Sequence, residues 1–156
     1  MSSAVSTLSQ THQSLFAAKK AKGLTFEQIG QKIGRNEVWV ASVFYGQAKP
    51  LKEDLHKLAS VLGLPESSLQ SELSEEHFWP KRGQVTPLPP TDPVLYRLYE
   101  IILVYGYPIK HVIHEKFGDG IMSAINFNTT VEKVEKDGDS YVKLSLLGKF
   151  LPYTRW

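Results

Sequence analysis

A proline-rich segment in the middle of the chain limits what the sequence can fold into. Pro80, Pro87, Pro89 and Pro90 lie in one short stretch. Proline fixes its own φ angle and lacks a backbone N–H, so this stretch can be neither a helix interior nor a central strand. We therefore predict a first domain over residues 1–79, an extended linker over 80–92 and a second domain over 93–156.

The first domain is predicted to be a compact bundle of short helices. Apolar residues recur at helical spacing, Thr25 and Asn36 suit helix N-caps, and glycines follow the helices as stop signals. The predicted helices cover residues 8–22, 26–33, 37–45, 51–62 and 66–73. The middle three resemble a helix-turn-helix of the phage-repressor type.

The third of these helices does not suit DNA recognition. The stretch from Glu37 to Tyr45 contains no Lys or Arg, and the net charge of the 156-residue chain is only +2. Groove recognition needs cations for phosphates and polar side chains for base edges. We expect this helix to pack rather than to bind nucleic acid, and we keep a transcription regulator as the alternative function.

The second domain is predicted to combine helix and hairpin, which makes the whole chain α+β. Asp92 and Pro93 can start a helix that runs to about Tyr105 and stops at Gly106, and a second helix is predicted over 110–117. Two strands are predicted over 128–136 and 140–147, joined by the hairpin signal Asp137-Gly138.

This second domain is too small and too apolar to stand alone. Its first helix is apolar on nearly every side, which implies contacts all round. A two-stranded hairpin is marginally stable in isolation. We therefore predict that other copies of the chain cover these surfaces and that the protein is a homo-oligomer.

Arg97 and Glu100 are the first candidates for a functional site. They are three residues apart in the apolar helix and so share one face. The pair could be a surface ion pair, a structural salt bridge at an interface, or an anion site in which Glu100 orients the guanidinium of Arg97. The spacing alone does not choose between the last two.

Ser123 is the second candidate, in a segment of small residues that begins at Gly118 and is predicted to be a loop. Its hydroxyl and nearby backbone N–H groups could donate to an anion. His111 and His114 are also helically spaced, but no third ligand is evident, so a metal site is not predicted.

Composition excludes several classes of function. The chain has no cysteine, which rules out disulfides, thiolate catalysis and cysteine-based metal sites. The N-terminus does not have the pattern of a secretory signal, and no apolar run reaches transmembrane length. We expect a cytoplasmic protein that does not bind membranes.

Three segments together resemble the cyanase (cyanate hydratase, or cyanate lyase) family. They are Leu95-Tyr96-Arg97-Leu98-Tyr99-Glu100, the run from His114 to Phe127 with its Gly-Asp-Gly-Ile-Met-Ser core, and Gly148-Lys149-Phe150-Leu151-Pro152 near the end. The similarity covers most of the chain and is weakest at its two ends.

The resemblance implies a function and a set of site residues. Cyanases convert cyanate and bicarbonate to carbon dioxide and carbamate, which breaks down to ammonia and carbon dioxide. The family's catalytic Arg, Glu and Ser fall on Arg97, Glu100 and Ser123, with Ile121 and Ala124 as further anion contacts. The resemblance further implies no metal or organic cofactor, a decamer of five dimers, and active sites between subunits.

Overall fold

The computed structural model describes residues 3–156 and divides the chain into two compact units, one ending at Thr86 and the other beginning at Pro87. The helices and strands follow in chain order: α1 (Ser3–Ser6), α2 (Gln10–Ala21), α3 (Phe26–Ile33), α4 (Glu37–Phe44), α5 (Lys52–Leu62), α6 (Glu66–Leu73), α7 (Pro93–Phe117), β1 (Gly120–Lys136) and β2 (Asp139–Pro152). The predicted α+β class is confirmed.

The helix boundaries in the N-terminal unit follow the predicted caps. Thr25 and Gln28 form a capping box at the start of α3, with each side chain bonded to the other residue's backbone N–H. Gly34 ends α3 with a φ of 74°, a left-handed conformation that glycine adopts without strain. The side chain of Asn36 then caps α4. The five predicted helices are confirmed to within one or two residues at their ends.

An ion pair between the exposed Arg35 and the buried Asp54 holds the turn between α3 and α4 against α5. Asp54 is 1% exposed and accepts hydrogen bonds from Arg35 Nε at 2.8 Å and from the backbone N–H of Leu51 at 3.0 Å. The hydrogen bond to Asp54 raises the pKa of Arg35. Gly30 fits the same turn because a Cβ there would lie 2.5 Å from the carbonyl oxygen of Arg35.

The core of this unit is aliphatic, with an aromatic cluster at one side. Phe16, Phe26 and Phe44 meet edge to face with ring centroids 5.1–6.4 Å apart, an arrangement that aromatic rings favour. The buried apolar cluster comprises Leu15, Ile29, Ile33, Val40, Val43, Phe44, Leu55, Leu58, Ala59, Leu62, Leu69 and Leu73.

The long helix α7 corrects the prediction of two helices separated at Gly106. One helix of 25 residues passes through both Gly106 and Pro108. Pro108 cannot donate to the carbonyl of Val104 four residues earlier, a loss of about 3 kcal/mol, and Gly106 adds about 1 kcal/mol. The apolar helical pattern continues on both sides of these residues, and propagation of an existing helix outweighs two local penalties.

The hairpin confirms the predicted turn and corrects its length. Asp137 and Gly138 have φ angles of 55° and 84°, as a two-residue type I′ turn requires. The strands extend well beyond the predicted 128–136 and 140–147, and the predicted loop that begins at Gly118 becomes strand from Gly120 onward. It does so because Gly120 pairs with Pro152, a partner that no local pattern reveals.

Among the residues from 3 onward, no helix combines the length and the apolar character needed to cross a membrane.

Candidate active site

Helix α7 presents Arg97 and Glu100 one turn after its start. Asp92 caps the helix, and its carboxylate accepts the backbone N–H groups of Val94 at 2.9 Å and Leu95 at 3.1 Å. Pro93 occupies the first turn, where its missing N–H costs nothing. The predicted start of this helix is therefore confirmed.

The two charged side chains form an ion pair that is open to solvent within one chain. Arg97 Nη1 lies 2.9 Å from Glu100 Oε2, and the side chains are 71% and 47% exposed. The guanidinium also lies 5.9 Å from the ring centroid of Tyr96. An exposed pair of this kind contributes less than about 1 kcal/mol to stability. The ion pair holds the Arg97 guanidinium in a fixed orientation and leaves some of its N–H donors unpaired. Burial of this pair between subunits stays a prediction.

Ser123 lies in β1, at the one place where the pairing with β2 loses its regular register. Met122 pairs with Phe150, and the next pair is Phe127 with Gly148. Four residues of β1, from Ser123 to Asn126, therefore oppose Lys149 alone. This bulge buries Ser123 to 4% exposure on a hairpin where Gly120 is the only other buried residue.

The serine hydroxyl is held by its own backbone. Ser123 Oγ accepts the N–H groups of Ile125 at 3.0 Å and Asn126 at 2.9 Å. Those two N–H groups are thus engaged with the serine rather than free for an anion. The hydroxyl proton has no acceptor among the described residues, so Ser123 is fixed as a donor. Ile121 and Ala124 flank it and are exposed.

Gly148 makes room for the bulge and Gly120 allows close strand approach in the ladder before it, roles that the sequence had not predicted. A Cβ at Gly148 would collide with the carbonyl oxygen of Ser123 and would lie 2.6 Å from Met122 Cγ. A Cβ at Gly120 would lie 2.5 Å from the carbonyl oxygen of Leu151. A glycine inside an apolar strand pattern is the signal that could have located the bulge.

The two histidines of α7 have separate partners. His114 Nε2 lies 3.3 Å from the carbonyl oxygen of Gly120, and His111 Nε2 lies 3.6 Å from Glu115 Oε1. The part of the chain that the structure describes contains no group of three or more side chains placed to hold a metal ion.

The structure thus brings Arg97 and Glu100 into contact and places Ser123 apart from them in the hydrogen-bond network. Within the described residues, Ser123 bonds only to its own segment. The catalytic and anion-binding roles of these residues, and of Ile121 and Ala124, stay predictions.

Known proteins match this chain along nearly its whole length. Residues 87–155 match the cyanate lyase C-terminal domain. A cyanate hydratase from Coprinopsis cinerea is 54% identical over 149 residues, which are 96% of this chain and 97% of the relative. A cyanate hydratase from Synechococcus is 52% identical over 143 residues, covering 92% and 93% of the two chains. The chain belongs to the cyanate hydratase family.

A solved structure agrees with the cyanate hydratase fold. The crystal structure of cyanase from T. urticae superposes with a TM-score of 0.74 at 34% identity, and it covers 91% of this chain and 96% of its own. The resemblance inferred from the sequence is confirmed, and the chain is an enzyme of the carbon–nitrogen lyase class.

The alternative of a DNA-binding regulator is not favoured. Every residue of α4, the helix that would enter a groove, is buried or half-buried, and Val40, Val43 and Phe44 belong to the core. The guanidinium of Arg35, just before α4, lies 5.3 Å from the ring of Trp39 and is paired with Asp54. A recognition helix needs exposed side chains for base edges.

Proposed function

We propose that this enzyme decomposes cyanate in a bicarbonate-dependent reaction at an anion site between subunits. The observation that carries the proposal is the oriented guanidinium of Arg97. It is held by Glu100 and keeps donors open to solvent. Its relatives are named for cyanate, and bicarbonate, like cyanate, is a small anion that such a cation can hold.

Arg97 would offset the charge of two anions that otherwise repel each other. At 4 Å, two unit charges repel by about 1 kcal/mol in water and by about 4 kcal/mol near a protein surface. A planar guanidinium can donate two parallel hydrogen bonds to one carboxylate-like group. Glu100 fixes the fork and does not act as an acid in this proposal.

Ser123 would orient the anions without forming a covalent intermediate. Two backbone N–H groups occupy its oxygen, which leaves the hydroxyl as a donor and weakens it as a nucleophile. Attack of a bicarbonate oxygen on the cyanate carbon forms a C–O bond. Nitrogen takes up two protons, one from the bicarbonate hydroxyl and one from solvent, and cleavage of the C–O bond to the bicarbonate carbon then gives carbon dioxide and carbamate. Holding both anions together makes the attack nearly intramolecular.

The exposed apolar surface of α7 and the hairpin supports a homo-oligomer, and we propose a decamer built from dimers. Side chains such as Ile102, Leu103 and Tyr107 are more than half exposed in the single chain. Patches of this kind mark protein interfaces. Neighbouring subunits would then add copies of Arg97 and Ser123 to each site. We further propose that no metal or organic cofactor takes part and that the enzyme works in the cytoplasm.

Ammonia release from cyanate, measured with and without added bicarbonate, tests this function. Arg97→Ala, Glu100→Ala and Ser123→Ala should each lower kcat/KM by about 100-fold or more, because each removes a group aimed at the transition state. Arg97→Lys should also lower kcat/KM, because lysine keeps the positive charge but lacks the planar guanidinium with its two parallel donors.

Matched controls separate the site from general damage. Arg82→Ala and Ser140→Ala remove the same side-chain types elsewhere and should retain full activity. Turnover that ignores bicarbonate, or that survives the three site substitutions with size unchanged in light scattering, would overturn the proposal. Mass spectrometry that traps an adduct on Ser123 would overturn its role as a donor.

A further inference from the structure

The junction between α7 and the hairpin is packed within the single chain, unlike most of the C-terminal unit. Gly120 and Ser123 are buried there, and His114 and Phe150 are half-buried beside Gly120. We call the contacts among His114, Phe117, Gly120 and Phe150 the α7–β1 joint. Ser123 comes three residues after Gly120, so this joint is well placed to control the position of the serine.

The ring of Phe150 lies between α7 and the first residue of β1. Phe117 and Phe150 stack with their ring centroids 5.2 Å apart and their planes 29° from parallel. A Cβ at Gly120 would lie 2.5 Å from Phe150 Cζ, so the ring rests against the glycine backbone. Phe150 also pairs with Met122, the residue before Ser123. The stack therefore connects the last turn of α7 to the strand pair next to the serine.

A hydrogen bond from α7 holds the backbone of Gly120 in the same joint. Tyr153 donates its backbone N–H to the carbonyl of Asp119 at 3.1 Å. Bonded and unbonded pairs alternate in antiparallel strands, so the carbonyl of the next residue, Gly120, points away from β2. His114 Nε2 lies 3.3 Å from that carbonyl oxygen. Lys110 Nζ, which can only donate, lies 3.4 Å from His114 Nδ1, so the ring proton is on Nε2 and is donated to Gly120.

The joint supports a part of β1 that strand pairing alone holds weakly. The bulge interrupts the pairing between Met122 and Phe127, so the long ladder beyond Phe127 does not fix Ser123. On the other side of the serine, residues 120–122 form a short ladder of three pairs. Two-stranded pairing of this kind is marginal by itself. Contacts with α7 are therefore needed to hold the short ladder and the serine that follows it.

We propose that Phe117 and Phe150 are positioning residues for the reaction and act through Ser123. Their stack holds the short ladder against the end of α7, and the short ladder sets the direction of the Ser123 hydroxyl. Their role rests on the proposed function, in which this hydroxyl orients the anions. A phenyl ring can neither donate a conventional hydrogen bond to an anion nor exchange a proton. A change of either ring therefore reaches the reaction only through geometry.

Steady-state ammonia release by the full-length oligomer tests this role. Phe117→Leu and Phe150→Leu keep an apolar side chain and remove a stacked ring, and each should lower kcat by about 10-fold or more. The KM for cyanate should change by less than about threefold, because Arg97 still captures the anion. Phe150→Tyr retains the ring and should keep at least about half of the wild-type kcat. Light scattering should show the wild-type size for all three variants.

Combined substitutions separate positioning from general damage. If the two rings act as one stack, the double variant should have about the kcat of the worse single variant, not the product of both losses. If the rings act through the serine, adding Phe117→Leu to Ser123→Ala should lower the residual rate by less than about twofold. Trp79→Leu is the control, since it removes an exposed ring of the N-terminal unit and should leave kcat unchanged.

Three results would overturn the proposal while the proposed function stands. They are a wild-type kcat in both leucine variants, losses that multiply in the double variant or persist in full on Ser123→Ala, and dissociation of either single variant. Dissociation would assign the rings to subunit contacts instead. Failure of the function itself is distinguishable, because the wild-type enzyme would then release no ammonia from cyanate with bicarbonate, or Ser123→Ala would keep full activity.

Discussion

The two units of this chain treat their apolar residues in opposite ways. In the described part of the chain, every buried aliphatic or aromatic residue other than Pro90 lies between Val5 and Leu73. Helix α7 is more apolar than α2, α3, α5 and α6, yet it has no buried residue. The N-terminal unit has a core of its own, whereas the C-terminal unit buries only Pro90, Gly120 and Ser123.

This difference indicates two sources of stability. The N-terminal unit gains its free energy of folding from burial within one chain, at roughly 25 cal/mol per Å² of apolar surface. The C-terminal unit leaves most of its large apolar side chains exposed in the single chain, and association with other copies would remove them from water. On the proposed function, folding of the second unit, assembly and completion of the anion site become one event.

The largest expected effect comes from a charge placed on the apolar surface of α7. Ile102→Glu, at a position 58% exposed in the single chain, should dissociate the oligomer and lower ammonia release by more than about 100-fold. Gln31→Glu on the exposed surface of α3 is the matched control and should change neither property. Light scattering measures the size of the oligomer, and the assay measures ammonia release. An Ile102→Glu variant that stays oligomeric and active would show that the C-terminal unit does not depend on association.

A pair of leucine truncations sharpens the same contrast. Leu58→Ala removes a fully buried side chain and should lower the free energy of unfolding of the N-terminal unit by about 2–5 kcal/mol, whatever the protein concentration. Leu147→Ala removes a side chain 67% exposed in the single chain. Its cost should depend on protein concentration, because it acts through association. Urea titrations at two concentrations measure both, and equal behaviour of the two variants would count against separate sources of stability.

The bulge that holds Ser123 should be sensitive to one methyl group. Gly148→Ala forces a Cβ against the carbonyl of Ser123 and should lower kcat by about 10- to 100-fold while the oligomer persists. Gly106→Ala is the control, since its Cβ would meet only Ile102 Cγ2 at an ordinary 3.6 Å and alanine favours the helix. Full activity of Gly148→Ala would show that the position of the serine does not depend on this glycine.

The smallest expected effect is a pH dependence confined to the N-terminal unit. Burial lowers the pKa of His12 in the folded state below the value of about 6.5 in the unfolded chain. The unfolded state therefore binds more protons between these two values, and stability falls as the pH drops below about 6.5, by at most about 1.4 kcal/mol per pH unit. His12→Asn should reduce the dependence of the free energy of unfolding on pH between pH 7 and 5. His77→Asn replaces an exposed ring and should leave that dependence unchanged.

Local signals predicted the N-terminal unit well because its structure is local. Thr25 and Asn36 satisfy backbone groups within three residues, and Gly34 ends a helix at its own position. These interactions are complete inside a short window of sequence. The Asp137-Gly138 turn succeeded for the same reason.

The failures concern interactions that no short window contains. Gly106 was predicted to stop the helix, but a helix already formed on both sides continues through it and through Pro108. The strand at Gly120 depends on pairing with Pro152, more than thirty residues away. Arg97 and Glu100 were found by their charges in an apolar helix, whereas the spacing of Ser123 carried no sign of its burial. The small residues around Ser123 made it a candidate and the family resemblance gave it a catalytic role, but neither revealed its environment, which is made by a strand pairing and by Gly148.

The bulge also has a consequence for how this hairpin can change over evolution. The ladder from Phe127 to the turn is separated from the short ladder at Gly120–Met122 by residues that follow neither register. An insertion, a deletion or a change of twist towards the Asp137-Gly138 tip can be absorbed there before it displaces Ser123. The tip can thus diverge to suit new neighbours while the serine keeps its place, so variation in hairpin length among relatives should concentrate beyond Phe127.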